Sequence, residues 1–387
     1  MNTLINSQIA KKLSVTKTTI ANYIQDAKDK KNNLQTIEVD GKVKLLDTPT
    51  NWNELEQLAK EGRKFNRTTT NHKTVSLPKS FYELFDTQSQ FEIYRDLETL
   101  QEIDLKYHYT NHGAEFWDSR YKQKVSSVSI AIEQLLKNCV YDIKHSLTHK
   151  FNFIDIGCGN GFPSNLLLRE HLVKKYIGLD ISSELLEICR NNLREFTSSV
   201  EIDTHALDLQ KSGLEDLVAK WNSDEGNLFA FIGNTICNYN QIDRADLLNA
   251  IQRVMTKNDM LIISYSLNSK ENNLNFRYVQ DQNMERAWLP KLIGIDVTEC
   301  NYDHVFDAQK QCKIKYLQLD KNYTLKFRLF NEEKIITLNA GDKIALWKHY
   351  LFSLEEIVRE LNFSNFSIQF LKIHQDNVFI GCQIALP

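Results

Sequence analysis

The segment Phe153-Ile154-Asp155-Ile156-Gly157-Cys158-Gly159-Asn160-Gly161 constrains this chain more than any other. A short apolar run enters a turn with glycine at every second position. A second run, Tyr176-Ile177-Gly178-Leu179-Asp180, ends in an acid 23 residues after Gly157. Glycine lets a backbone turn sharply and approach a ligand where a Cβ would intrude. An acid closing the next strand can accept hydrogen bonds from both hydroxyls of a ribose. Dinucleotide-binding turns use a related device. Their G-x-G-x-x-G spacing is absent, because Ser164 and not glycine follows Gly161 by three.

With Asp155 two residues before the first glycine, this pattern resembles motif I of the class I S-adenosylmethionine (SAM) methyltransferases. The resemblance implies SAM as cofactor. Asp155 then helps hold the turn and the methionine moiety, Gly157, Gly159 and Gly161 form the cradle, and Asp180 takes the ribose. Asp208, in Ala206-Leu207-Asp208-Leu209, closes a third strand and is placed to meet the adenine amine, although it can equally be a turn residue. Leu228–Gly233 and Met260–Leu267 read as buried strands around a helix at Asp243–Met255, and Ser182 is a plausible N-cap for a helix to Phe196. Alternating strands and helices predict a doubly wound parallel sheet. Phe366–Ile373 and Val378–Leu386, joined by three residues, must pair antiparallel. The predicted class is therefore α/β, a Rossmann-like methyltransferase sheet with an antiparallel terminal hairpin.

Residues 1–46 read as a separate unit. Ser7 to Ile24 gives helix, tight turn and helix, with Thr16 as N-cap, and Asp40-Gly41 is a strong hairpin signal between Thr36–Val39 and Lys42–Leu46. This resembles a winged helix-turn-helix module. Eight lysines against four acids fit phosphate contact, so DNA is a candidate partner through residues 1–46. An appendage that docks a partner or the catalytic domain is the alternative. Residues 47–104 read as a linker and helical segment, 105–268 as the SAM-binding core, 269–348 as a β-rich substrate-covering insertion, and 349–387 as the end of the core. The insertion shows three alternating runs, Lys313–Leu319, Tyr323–Phe330 and Lys334–Leu338.

Two further segments narrow the resemblance. Gly233-Asn234-Thr235-Ile236-Cys237-Asn238 is similar to the G-S-T-I-G-N segment of the histidine-specific Nα-methyltransferases of ergothioneine biosynthesis. Lys106-Tyr107-His108-Tyr109-Thr110-Asn111-His112-Gly113-Ala114 is similar to that family's K-W-F-Y-D-x-x-G-S. The resemblance spans roughly residues 104–387. It implies Tyr109 at the SAM carboxylate and Gly233 with Asn238 at an amino-acid-like acceptor, Asn238 through the carboxylate. The chain departs from the family at Tyr265-Ser266-Leu267-Asn268, where an A-Y-D context is expected. It departs again at Ile344-Ala345-Leu346-Trp347-Lys348-His349, where an E-x-S-x-K-F segment grips the imidazole and only Lys348 survives. Histidine is thus a poor acceptor, since lost hydrogen-bonding groups are not replaced by Ile and Leu. Trp347, His349 and Tyr350 suggest a more apolar acceptor, or equally the packing of a lid.

Methyl transfer needs two aligned reactants and a nucleophile that can lose a proton. No general base is named by the sequence; His108, His112, His349, Tyr239 and Tyr265 are the weak candidates. A nucleic-acid methyltransferase is a competing reading, although the (Asp/Asn)-Pro-Pro-(Tyr/Phe) segment that lines a flipped base is missing. A SAM-responsive regulator is another. The net charge of −3 supplies no global attraction to nucleic acid or membrane. Seven scattered cysteines without a C-x-x-C pair argue for free thiols and against structural zinc. No signal peptide or 18-residue apolar run is seen, so a cytoplasmic location is expected.

Overall fold

The computed structural model describes residues 24, 34–39, 42–46, 48–58, 72–123, 127–147, 149–197, 200–209, 211, 213–221, 226–269 and 287–385. The chain divides into two compact units, Met1–Lys73 and Thr74–Pro387.

In the first unit, β1 (Thr36–Val39) pairs antiparallel with β2 (Lys42–Leu45), Val39 opposite Lys42, as the hairpin signal predicts. A helix over 49–58 follows, inside what reads as a linker. Asn51 explains the order there. Its fully buried carboxamide accepts from the Gln35 amide at 2.7 Å and donates to the Gln35 and Leu46 carbonyls at 2.7 and 2.8 Å. The proposed helix-turn-helix lies outside the described residues, apart from Ile24.

The second unit is built on a seven-stranded sheet. Its strands are β4 (Phe151–Ile156), β5 (Val173–Asp180), β6 (Glu201–Ala206), β7 (Asn227–Phe231), β8 (Met260–Ser266), β14 (Phe366–His374) and β15 (Asn377–Ile384). The order is β14-β15-β8-β7-β4-β5-β6. Strands β4 to β8 run parallel, and β15 and β14 close the sheet antiparallel. The chain order reverses between β4 and β7, and ligands bind at such a switch point, outside the carboxyl ends of the strands. Each central strand splits its side chains between two apolar layers. Ile154, Ile156, Phe229 and Phe231 go to one and Phe151, Phe153, Leu228 and Ala230 to the other. Burying each of the Ile, Leu and Phe side chains contributes about 1.5–3 kcal/mol. Both faces are therefore covered by helices, and only the strand ends stay open for chemistry.

A second core stands beside the sheet. Strands β9 (Asn301–Asp307), β10 (Cys312–Gln318) and β13 (Lys343–Tyr350) form one three-stranded sheet. Strands β11 (Tyr323–Leu329), β12 (Glu332–Leu338) and β3 (Lys73–Ser76) form another. The three alternating runs of the insertion are present as β10, β11 and β12, with β9 and β13 in addition. Helices Lys79–Leu84 and Thr87–Leu100, with Phe85 between them, bury Phe81, Phe85, Ile93 and Leu97 in one core with Leu325, Phe327, Leu329 and Ile336. Residues 74–104 thus hold the helical part of the 47–104 segment. Their aromatic and aliphatic side chains complete the core of the insertion, a long-range partnership that periodicity cannot reveal. Strand β13 also carries the insertion past 348, to Tyr350. No helix among the described residues is long and apolar enough to cross a membrane.

Helix Ser183–Arg194 begins where its N-cap predicts, with the Ser182 hydroxyl accepting from the Leu185 amide at 3.1 Å. Ser182→Ala should cost about 1 kcal/mol, read as a lower urea midpoint with an unchanged slope. An unchanged midpoint would mean that the hydroxyl contributes nothing to the helix start.

Candidate functional site

The glycine turn leaves β4 with Gly157, Gly159 and Gly161 at φ of +69°, +52° and +84°. At Gly161 close approach also demands glycine, since a Cβ would lie 2.9 Å from Leu193 Cγ and 3.0 Å from Cys189 Sγ. The turn is tied to the end of β5 by Asp180. Its Oδ2 accepts from the Gly159 amide at 2.9 Å and its Oδ1 from the Ser182 amide at 3.0 Å. Burial raises the Asp180 carboxyl, against the lowering pull of these amides and that of Ile181. Asp155 points the other way, into the fold, where its Oδ2 accepts from the Tyr176 hydroxyl at 2.8 Å. Burial pushes Asp155 up to about 6 against hydrogen bonds from Ser164 and Tyr176, and the Asp180 charge adds to the rise.

Helix His112–Lys122 clamps the turn from outside. Asp118 Oδ1 accepts from Asn160 Nδ2 at 2.8 Å and from Asn192 Nδ2 at 3.3 Å, while Asn192 Nδ2 donates to the Asn160 carbonyl at 2.9 Å. The Trp117 ring lies 3.4 Å from where a Gly159 Cβ would stand. Sequence reasoning missed all four residues, Trp117, Asp118, Asn160 and Asn192. No spacing announces them, because three separate elements meet there.

Asp208 lies just beyond β6, with Lys106 Nζ at 3.6 Å and Lys211 Nζ at 3.5 Å. Lys106 also pairs with Glu92 at 2.8 Å, and the Tyr107 hydroxyl donates to the same oxygen at 2.7 Å. Burial raises Glu92, but the hydrogen bonds from Lys106, Gln88 and Tyr107 outweigh it and hold the carboxyl at about 2. Tyr109 caps the short helix Leu105–His108. Tyr239 sits with these groups: burial first, then Asp208, Asp104, Asp180 and Tyr109, push its hydroxyl well above the ordinary value. It therefore stays protonated at neutral pH, a hydrogen-bond donor and not a base.

A second polar group occupies the carboxyl ends of β7 and β8. Gly233, at φ +83°, and Asn234, at φ +59°, lead into the short helix Thr235–Asn238. Asn234 is buried; its Nδ2 donates to Ser266 Oγ at 2.8 Å and Asn377 Oδ1 at 2.6 Å. Strand β13 brings His349 to the same place, Nε2 at 2.8 Å from Ser266 Oγ and Nδ1 at 3.4 Å from Asn238 Oδ1. Trp347, two residues earlier on the same face, stacks on the His349 ring at 5.1 Å and 9°. Thr235 joins the two groups, with its methyl 3.1 Å from where a Gly157 Cβ would be. Asn234, Ser266 and Asn377 were not legible as site residues. The serines at 264 and 266, polar positions in an otherwise apolar strand, were the available signal.

The remaining candidates lie elsewhere. Tyr265 is fully buried, its hydroxyl 3.3 Å from Glu360, which pairs with Arg244 at 2.8 Å. The strand alternation that turns Ser266 to the site turns Tyr265 to the core. His108 is 4% exposed, and the side chain of His112 is outside the described residues. Lys348 pairs with Glu102.

Because Asp155 titrates higher when folded than its ordinary 3.8, its stabilising contribution is complete below about pH 4 and is lost as pH rises through about 6. Asp155→Asn, neutral throughout and still able to accept from Tyr176, should gain on the wild type by up to about 3 kcal/mol between about pH 4 and 7. Urea unfolding at stepped pH measures this; parallel stability curves would contradict the raised titration.

Residues 90–380 match the family of histidine-specific, SAM-dependent methyltransferases. The chain is 25% identical over 224 residues to a malonyl-[acyl-carrier protein] O-methyltransferase of Neorickettsia risticii, covering 54% of this chain and 84% of that protein. Among solved structures, it is similar to magnesium protoporphyrin IX methyltransferase from Synechocystis with bound SAH: TM-score 0.43, 12% identity, 72% of this chain and 98% of the other. A SAM-dependent methyltransferase from Clostridium acetobutylicum aligns with TM-score 0.36 and 11% identity over 78% of this chain and 100% of its own. With three quarters of its length inside the family match, and a glycine turn, strand-end acid and sheet order that agree with it, the chain belongs to the histidine-specific, SAM-dependent methyltransferase family and is a SAM-dependent methyltransferase.

Proposed function

We propose that this enzyme N-methylates an amino-acid-like small molecule other than histidine. The supporting observation is the polar group at the ends of β7 and β8, where Asn238, His349 and Ser266 are linked by hydrogen bonds one short helix away from the glycine turn.

The residues of the turn fit the cofactor. The backbone at Gly157, Gly159 and Gly161 presents no Cβ, and Asp180 keeps lone pairs beyond the amides it already accepts, enough for a ribose hydroxyl. Asp208 is assigned to the adenine amine and Tyr109 to the methionine carboxylate, with Tyr239 as a protonated donor among them. Bound SAM supplies a methyl group on a sulfonium, which a neutral amine takes in one in-line displacement. The work left to the chain is to hold that amine, keep water away and accept the geometry without rearrangement. Gly233 and Asn238 hold the acceptor. His349 has both ring nitrogens engaged by Ser266 and Asn238, so it orients Asn238 and is not assigned as the base. Trp347 offers an aromatic surface to the acceptor's apolar part.

Strand β13 is ill suited to gripping an imidazole. Ile344 and Leu346 stand where the family carries imidazole-gripping Glu and Ser, and both are buried among apolar side chains. Neither can replace a lost hydrogen bond. Incubation with SAM and separate panels of free amino acids, dipeptides and duplex DNA, with SAH release and product mass as readouts, tests the reading. Methylation of an amine in the first two panels is expected; histidine or DNA as the preferred acceptor would overturn it.

Asp180→Ala should weaken SAM binding about ten- to a hundredfold by calorimetry, because it removes a buried charged acceptor. Unchanged affinity would remove Asp180 from the cofactor site. Asn238→Ala should lower kcat/KM for the acceptor by about tenfold or more with SAM affinity held within about twofold. A parallel fall in both would place Asn238 in the cofactor site or the fold.

A further inference from the structure

The two segments in which the chain departs from the family's motifs meet at one hydrogen bond. Ser266 stands in the segment where an A-Y-D context is expected, and His349 stands where E-x-S-x-K-F ends in Phe. His349 Nε2 lies 2.8 Å from Ser266 Oγ, a bond that a phenyl ring could not make. The backbone holds both residues in place. Leu267 bridges Phe352, and the Phe352 amide donates to the Ser266 carbonyl at 3.1 Å, so the chain just after β13 is laced to the end of β8. From the neighbouring strand, β10 sets Lys313 opposite His349 and Lys315 opposite Trp347. Trp347 stacks on the His349 ring at 9° and fixes its plane. What is left to decide is which ring nitrogen carries the proton, since a neutral imidazole has one donor and one acceptor. Ser266 decides it. The residue is 5% exposed, so its hydroxyl proton needs an acceptor inside the fold. The Asn234 side chain is no such acceptor: its Nδ2 donates to Ser266 Oγ at 2.8 Å, and its Oδ1 has no hydrogen-bond partner among the described residues. Asn377 Oδ1 accepts from the same Nδ2 at 2.6 Å and keeps the amide that way round. The Ser266 proton therefore goes to His349 Nε2, which leaves the ring's own proton on Nδ1, 3.4 Å from Asn238 Oδ1.

We infer that Ser266 is a positioning residue of the acceptor site: it sets the His349 tautomer and, through the ring, which end of the Asn238 carboxamide faces the acceptor. The donors run in one direction, from Asn234 Nδ2 to Ser266 Oγ, from Ser266 Oγ to His349 Nε2, and from His349 Nδ1 to Asn238 Oδ1. The starting point is anchored, since the Asn234 backbone amide donates to Ser264 Oγ at 2.9 Å. With its oxygen engaged by the ring, Asn238 meets the acceptor as a hydrogen-bond donor. In the opposite tautomer, an unprotonated Nδ1 would face Asn238 Oδ1 with no proton between them, and the carboxamide would have to turn its nitrogen to the ring. Asn238 would then show the acceptor an oxygen. The position of one proton on His349 thus selects between two hydrogen-bonding faces of the site. The functional half of this inference rests on Asn238 contacting the acceptor, as in the proposed amine methylation; the tautomer does not.

Nuclear magnetic resonance of the full chain with isotope-labelled histidine, at pH about 8 where an ordinary imidazole is neutral, tests this without any acceptor. Long-range nitrogen–proton correlations, with the His349 signal identified by its loss in His349→Gln, should place the proton on Nδ1. Ser266→Ala should add a population protonated at Nε2. It should also lower kcat/KM for whichever acceptor is methylated by about tenfold, with SAM affinity held within about twofold. Ser266→Thr, which keeps the hydroxyl, should restore the tautomer and part of the rate. A wild-type ring protonated at Nε2 overturns the inference, even if Ser266→Ala fails to fold. So does a folded Ser266→Ala protein in which either the tautomer or kcat/KM is unchanged. A chain that methylates some acceptor other than an amine, yet shows the Nδ1 proton and both losses in Ser266→Ala, sinks the amine reading and keeps Ser266 as a positioning residue. Amine methylation by a chain whose His349 is protonated at Nε2 does the reverse.

Discussion

Asp180 ends its strand with both carboxylate oxygens turned back on the chain, one taking the Gly159 amide and the other the Ser182 amide. A buried carboxylate is stable only when it is hydrogen-bonded, and here the bonds join two loops that follow different strands. The glycine turn after β4 and the helix after β5 are held in one geometry as a result. The neighbouring Asp155 faces Tyr176 instead, so two carboxyls with nearly the same burial have separate tasks. Asp155 ties β4 to β5, and Asp180 ties the glycine turn to the start of the following helix.

The outside of the same turn is closed by Asp118 and Trp117, and Lys106 links the acid beyond β6 to Glu92 on helix Thr87–Leu100. Segments before β4 therefore close the outer side of the glycine turn and reach the acid beyond β6. They do so while burying Phe81, Phe85 and Leu97 in the second core, together with β11 and β12. That core also carries β13, the strand whose Trp347 and His349 reach the ends of β7 and β8. The same packing that stabilises the insertion thus places Trp347 and His349 beside the short helix Thr235–Asn238.

The His349–Ser266–Asn234–Asn377 connection ties β13 and the start of β15 to the carboxyl ends of β7 and β8. Each link is a hydrogen bond between groups from different elements, and Asn234 closes it from a left-handed backbone position after β7. The backbone amide and side-chain nitrogen of Asn234 carry these links, while its Oδ1 has no hydrogen-bond partner among the described residues. This explains why a strand buried on both faces retains Ser264 and Ser266, the first of which accepts the role of partner to the Asn234 amide at 2.9 Å.

The glycine turn, the acid 23 residues on, the Ser182 cap and the antiparallel terminal hairpin were all legible in the sequence. Each is a local device: backbone conformation, strand alternation or a short turn decides it within a few residues. The sheet class followed from them. Tertiary structure alone decided that residues 74–104 belong to the insertion's core, that Tyr265 turns inward while Ser266 turns to the site, and that Lys313 stands across from His349. Those outcomes depend on strand register and on partners more than a hundred residues apart, as between Asn234 and Asn377. A one-residue slip would exchange every face, and no local pattern carries the register of one strand against a distant other.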